Sequence, residues 1–92
     1  MLFMYIHTHP VEKCLADKPE QVRQMSVQVM EAMKRAGAKM IGVYAAAHEH
    51  TIYIIFEADN IAAVEQALVP MTTWGDARLI PVVTMEQMFQ QQ

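Results

Sequence analysis

Cysteine occurs only once, at Cys14, so no disulfide can close within the chain. A lone thiol suits a reducing compartment. Charge is scarce as well, with Asp, Glu, Lys and Arg making up 18% of residues against roughly 25% in an average domain. The cationic side chains are scattered from Lys13 to Arg78, with no basic stripe interleaved with aromatics, and the net charge is −3. That distribution argues against a nucleic-acid partner. Long apolar runs are missing too: Met1-Leu2-Phe3-Met4-Tyr5-Ile6-His7 has no basic flank and is far too short to span a bilayer. The expectation is a cytoplasmic protein with no membrane partner.

What the chain does have is apolar side chains, 53% of 92 residues. A domain of this size buries only roughly 60% of the surface its unfolded form exposes. So apolar a composition therefore predicts that some surface is shared with a second copy, in a homodimer or larger assembly.

Leu2 to His9 is apolar at first in both of its alternating sets, the pattern of a strand covered on two faces, and Pro10 ends it. Asp17-Lys18-Pro19-Glu20 has the form of a capping box with proline in the first turn. The helix after it repeats Val22, Met25, Val29, Met33 and Ala36, and Gly37 stands where a left-handed cap is wanted. Lys39 to Ala46 and His48 to Phe56 read as a β-hairpin. Asn60 to Val69 reads as a helix closed by Pro70. Leu79 to Val83 is a last strand, placed at a sheet edge by Pro81. Thr84-Met85-Glu86-Gln87 opens a short final helix by a second capping pattern. Residues 1–84 then form one domain, and 85–92 a short helix or tail.

The order β-α-β-β-α-β is the split βαβ, ferredoxin-like arrangement: an α+β fold with a four-stranded antiparallel sheet in the order 4-1-3-2 and two helices on one face. With its opening Met1-Leu2-Phe3-Met4 and closing Ile80-Pro81-Val82-Val83, the chain resembles the small stand-alone members of the dimeric α+β barrel superfamily. That group includes muconolactone isomerase-like enzymes and antibiotic-biosynthesis monooxygenases. The resemblance implies a dimer formed face to face through the sheets. It leaves open a range of chemistries, from cofactor-free oxygenases and isomerases to haem and iron enzymes.

All four histidines fall in two His-x-His pairs, His7-Thr8-His9 and His48-Glu49-His50. Residues i and i+2 of a strand share a face, and the first and third strands are antiparallel neighbours in this fold. Pairing His7 with His50 and His9 with His48 also sets Tyr5 against Ile52, Phe3 against Ile54 and Met1 against Phe56, apolar on apolar throughout. The expected site is an ion held by His7, His9, His48 and His50, with Cys14 and Glu12 as further candidate ligands and Tyr5 as pocket wall. Imidazole ligands suit Zn, Cu, Ni or Fe. An open coordination position would make the site an enzyme's, acting on a small molecule, and a filled one a structural or storage site. Glu49 points to the other face. The methionines, Tyr44, Tyr53 and Trp74 read as core or wall. Two other readings use the same residues: a metal-free monooxygenase or isomerase with histidine as general base, and a non-catalytic interaction module with solvated histidines.

Overall fold

The computed structural model describes residues 1–15 and 17–90. Its elements are β1 (Leu2–Thr8), α1 (Pro19–Arg35), β2 (Lys39–Ala46), β3 (Thr51–Glu57), α2 (Ile61–Thr72), β4 (Asp76–Val82) and α3 (Met85–Gln90). The strands form one antiparallel sheet in the order β2-β3-β1-β4. This is the ferredoxin-like order expected, with Pro81 on an edge strand. Among the described residues no helix is long and apolar enough to cross a membrane.

One face of the sheet makes the core. Phe3 and Tyr5 of β1 stand beside Phe56 and Ile54 of β3, their direct cross-strand partners. The Phe3 and Phe56 rings stack with centroids 5.6 Å apart. Onto this face pack Val29 and Met33 of α1 and Val64, Leu68 and Met71 of α2. The spacings of four and of four and three residues are those of a helix with one apolar stripe. Burying each such side chain stabilises the fold by roughly 1.5–3 kcal/mol.

The helix ends follow local chemistry, with two departures from expectation. α1 closes as expected: Gly37 sits at φ 89°, and the amides of Ala38 and Gly37 donate to the carbonyls of Met33 and Lys34, a Schellman cap. At its start, however, Lys18 occupies the capping position and no side chain caps the helix; the expected Asp17 to Glu20 box does not form. Proline at the first position of α1 has no N–H to satisfy, which lessens the need for a side-chain acceptor. α2 is capped by Asn60, which accepts from the Ala63 amide at 3.2 Å, but it runs through Pro70 instead of ending there. Proline removes its own hydrogen bond and crowds the carbonyl four residues back, and with only two helical residues beyond it the last turn of α2 persists. The second capping pattern does form: the Gln87 amide donates to Thr84 Oγ1, and the Thr84 amide donates to Gln87 Oε1, each at 3.0 Å. It starts α3, whose residues are all exposed. Residues 91–92 of the expected tail lie outside the described residues.

The β2–β3 connection departs most. Instead of a tight hairpin resuming at His48, Ala47–Glu49 form a 3-10 turn, His50 adopts a left-handed backbone at φ 52°, and β3 begins at Thr51. Four residues thus separate the paired Ala46 and Thr51, a loop length that reverses a chain without splaying the strands. The β1–β3 register is also displaced by two residues from the expected one: His7 faces Ile52, Tyr5 faces Ile54 and Phe3 faces Phe56. A shift of two preserves which side chains share a face. It changes which ends meet.

Between α2 and β4 the chain turns at Trp74-Gly75. A Cβ on Gly75 would lie 2.8 Å from His9 Cα and 2.9 Å from His9 Cβ, and closer still to the Thr8 carbonyl oxygen. Backbone against backbone leaves no flexible group to move aside. Gly75→Ala is therefore expected to lower unfolding free energy by about 1–3 kcal/mol, measured as an earlier urea midpoint with an unchanged slope.

Candidate metal centre

The core face of β1 turns polar at its end. Phe3 and Tyr5 are followed on the same face by His7 and, just past the strand, by His9, and these two histidines are 0% and 6% exposed. The His9 amide donates to the His50 carbonyl at 3.1 Å, so His9 and His50 come together where His7 and His50 were expected to. The bent connection holds His50 in place: the His50 amide donates to Ala47, Thr51 Oγ1 donates to the Glu49 carbonyl at 2.9 Å, and Thr51 and Thr8 hydroxyls meet at 3.3 Å. A left-handed backbone at a non-glycine residue costs on the order of 1–3 kcal/mol, and it aims this imidazole at the end of β1.

The ring geometry is tight. His7 Nε2 and His9 Nδ1 are 3.3 Å apart, and the His9 and His50 ring centroids are 5.5 Å apart at 73°. Trp74 covers the pair, its centroid 4.3 Å from that of His9 at an interplanar angle of 13°, and 4.6 Å from that of His7. Its indole N–H donates to the Lys13 carbonyl at 2.6 Å, which pins the 3-10 turn Val11–Lys13 and hence Cys14 beside the histidines.

His9, Cys14 and His50 each present a ligand atom within 4.8 Å of the others. Donor atoms around a tetrahedral zinc ion lie roughly 3.5 Å apart, so rotation of these side chains by about an ångström closes the set. The nitrogens free for it are His9 Nε2 and His50 Nδ1, both buried and without a hydrogen-bond partner, as are His7 Nδ1 and the Tyr5 hydroxyl. Each such orphan costs about 1–3 kcal/mol. Three of these four lie in one histidine cluster.

The other expected site residues are placed differently. His48 is exposed on the 3-10 turn, Glu49 is exposed beside it, and Glu12 is exposed on the turn before Cys14. The expected His9 to His48 pairing does not form, because the four-residue connection carries His48 away from β1. Tyr5 is buried one step below His7, and burial raises its phenol pKa. Trp74, read from sequence only as core or wall, is the aromatic lid of the cluster. Its position follows from the pairing of Asp76 with Thr8 at the start of β4, which carries the two preceding residues past the end of β1.

Burial dominates the electrostatics here. Desolvation, helped by His9 and opposed by Asp76, pushes the His7 pKa down to about 4. Desolvation and the neighbouring His50 lower that of His9. Both rings are held toward their neutral form, the form that ligates.

A family's sequence model, described as a domain of unknown function (DUF3303), matches residues 1–91. The chain belongs to that family. Among curated proteins, none matches. Solved structures do. SCO4226 from Streptomyces coelicolor A3(2) is 18% identical with a TM-score of 0.57, over 91% of this chain and 100% of that one. A de novo designed protein, Ferredog-Diesel, is 13% identical with a TM-score of 0.54, over 87% and 82%. Atu4242 from Agrobacterium tumefaciens is 8% identical with a TM-score of 0.51, over 92% and 96%. At such identities the likeness is one of fold, the ferredoxin-like arrangement. A designed protein among the neighbours makes the same point, since its likeness is one of backbone.

The His7 shift has a sign that can be tested without metal. The unfolded imidazole takes a proton near pH 6.5 and the folded one only near pH 4, so between those values the unfolded state binds more protons and stability falls as pH falls. Metal-free protein should lose about 3 kcal/mol through this group between pH 7 and pH 4, with little further change from it below. Urea titrations across that range should show the slope, and His7→Leu should flatten it.

Proposed function

We propose that this protein binds a transition-metal ion through His9 Nε2, His50 Nδ1 and Cys14 Sγ, with His7 behind His9. The observation that carries the reading is the convergence of these three residues within 4.8 Å, two of whose imidazoles hold a buried nitrogen without a hydrogen-bond partner. Tautomers support it. If His9 Nδ1–H donates to His7 Nε2, a contact of 3.3 Å, the lone pair of His9 is left on Nε2, and the His7 proton on Nδ1. A histidine ligand steadied in this way through its other nitrogen is the usual arrangement in metal sites.

Two imidazoles and a thiolate suit zinc or copper better than ions that seek oxygen. Three protein ligands are also the number found in catalytic zinc sites, where the fourth position takes water or substrate. The metal-free alternative needs an imidazole base titrating near neutrality; burial pushes His7 down to about 4, well below that range, and lowers His9 in the same direction.

The test is zinc affinity by competition with a chromophoric chelator. Cys14→Ser, His9→Ala and His50→Gly should each weaken binding by tenfold or more, about 1.4 kcal/mol, and glycine at position 50 suits the φ of 52° there. His48→Ala should leave affinity unchanged. If His48→Ala weakens binding as much as His50→Gly does, the ligand set is the one expected from sequence and not this one.

A partner follows from the other side of the sheet. Leu2, Met4 and Ile6 of β1 line up with Ile55 and Tyr53 of β3 and with Val82 and Ile80 of β4, a half-exposed apolar face that no helix covers among the described residues. A second copy pairing sheet to sheet would bury it. Light scattering at micromolar concentration should give the mass of a dimer, and Ile55→Glu should give the monomer with its helical content retained.

A further inference from the structure

The three ligands proposed above leave one position of a tetrahedral ion without a protein donor. Beside them lies a cavity of about 150 Å³. Apart from the ligands, its walls include Leu15, Val22, Ala46, Ala47, Ile52 and Trp74, and among the described residues no Asp, Glu, Lys or Arg lines it. The wall's polar side chains are engaged elsewhere: the Trp74 indole N–H donates to Lys13 and the Thr51 hydroxyl to Glu49. A guest here is therefore recognised by size, by apolar contact and by the ion.

Charge then selects the guest. A divalent ion with one thiolate and two neutral imidazoles carries a net charge of about +1, because a coordinating thiol gives up its proton. Left uncompensated against apolar walls, that charge is unfavourable. A monoanion cancels it, a neutral donor leaves it standing, and a dianion reverses it. An apolar cavity of this volume holds a body the size of benzene.

We propose that the fourth ligand is a small organic monoanion whose apolar body, about the size of a single aromatic ring, sits between Leu15, Val22, Ile52 and Trp74 while its anionic head completes the metal site. The inference rests on the metal reading and adds the chemical class of what that site receives.

Cobalt(II) in place of the native ion reports ligation at the open position through its visible spectrum. Titrating the cobalt-loaded protein with benzoate should shift the bands and give a dissociation constant about tenfold or more below that of acetate, the head without the body. Benzyl alcohol, the body without the charge, should leave the bands unchanged. Val22→Phe, or Leu15→Phe should the first not fold, narrows the cavity without touching a ligand; either should bind cobalt as before yet bring benzoate level with acetate. With one cobalt bound per chain, equal affinity for benzoate and acetate overturns the apolar subsite, and equal affinity for benzoate and benzyl alcohol overturns the charge argument. A protein that takes up no cobalt overturns the metal reading, and the ligand inference falls with it.

Discussion

The antiparallel pairing of β1 with β3 is the interaction on which both core and site depend. It sets Phe3 against Phe56 and Tyr5 against Ile54, giving α1 and α2 a flat apolar face on which to pack. The same column then continues into His7, which is as fully buried as the core residues beneath it. A strand cannot change its facing partway along without a bulge, so a polar residue in this series must be buried with the apolar ones. Burial removes water from the imidazole and disfavours its charged form. The packing that stabilises the domain therefore also disfavours the charged forms of His7 and His9.

Most of the fold was legible because it rests on periodicity. The stripe of α1, the glycine that ends it, the order of elements and the proline on an edge strand all follow from spacing and from backbone chemistry that few alternatives share. The register was legible only modulo two. Matching apolar residues across β1 and β3 distinguishes facing from non-facing, yet Phe3 finds an apolar partner in Ile54 or Phe56 alike, so the pattern could not choose between registers two residues apart. The β2–β3 connection gave no help in placing the start of β3, since Ala45-Ala46-Ala47 lacks the glycine or asparagine that marks a tight turn. In the register that forms, His50 meets His9 and His48 lies on the turn beyond the pairing.

Cys14 and Trp74 show a second limit. Both enter the site through segments outside the strands that carry the histidines, so alternation says nothing about them. Cys14 is brought in by a 3-10 turn that Trp74 pins through a single hydrogen bond. Trp74 is brought in by starting β4 at Asp76 rather than at Leu79. With β4 read from Leu79, three residues late, Trp74 had no tie to the end of β1 and read only as core or wall. Extending β4 back to its partner Thr8 is what reveals it, and Gly75 is the residue that lets the turn approach so closely.

Site and bare sheet face lie on opposite sides of the same strand. Along β1, Phe3, Tyr5 and His7 point toward the helices and Leu2, Met4 and Ile6 away from them, so a residue that serves one surface is unavailable to the other. Pairing of two sheets would bury the second set without covering the cavity, whose walls come from the helix side and from the loops at the end of the sheet. It would also stiffen β1, whose last residues position His9. In a chain this short the apolar face and the ligand cluster are thus separate in contact and joined through one strand. Assembly would favour ligation by holding that strand still, and would leave the cavity open to whatever the ion receives.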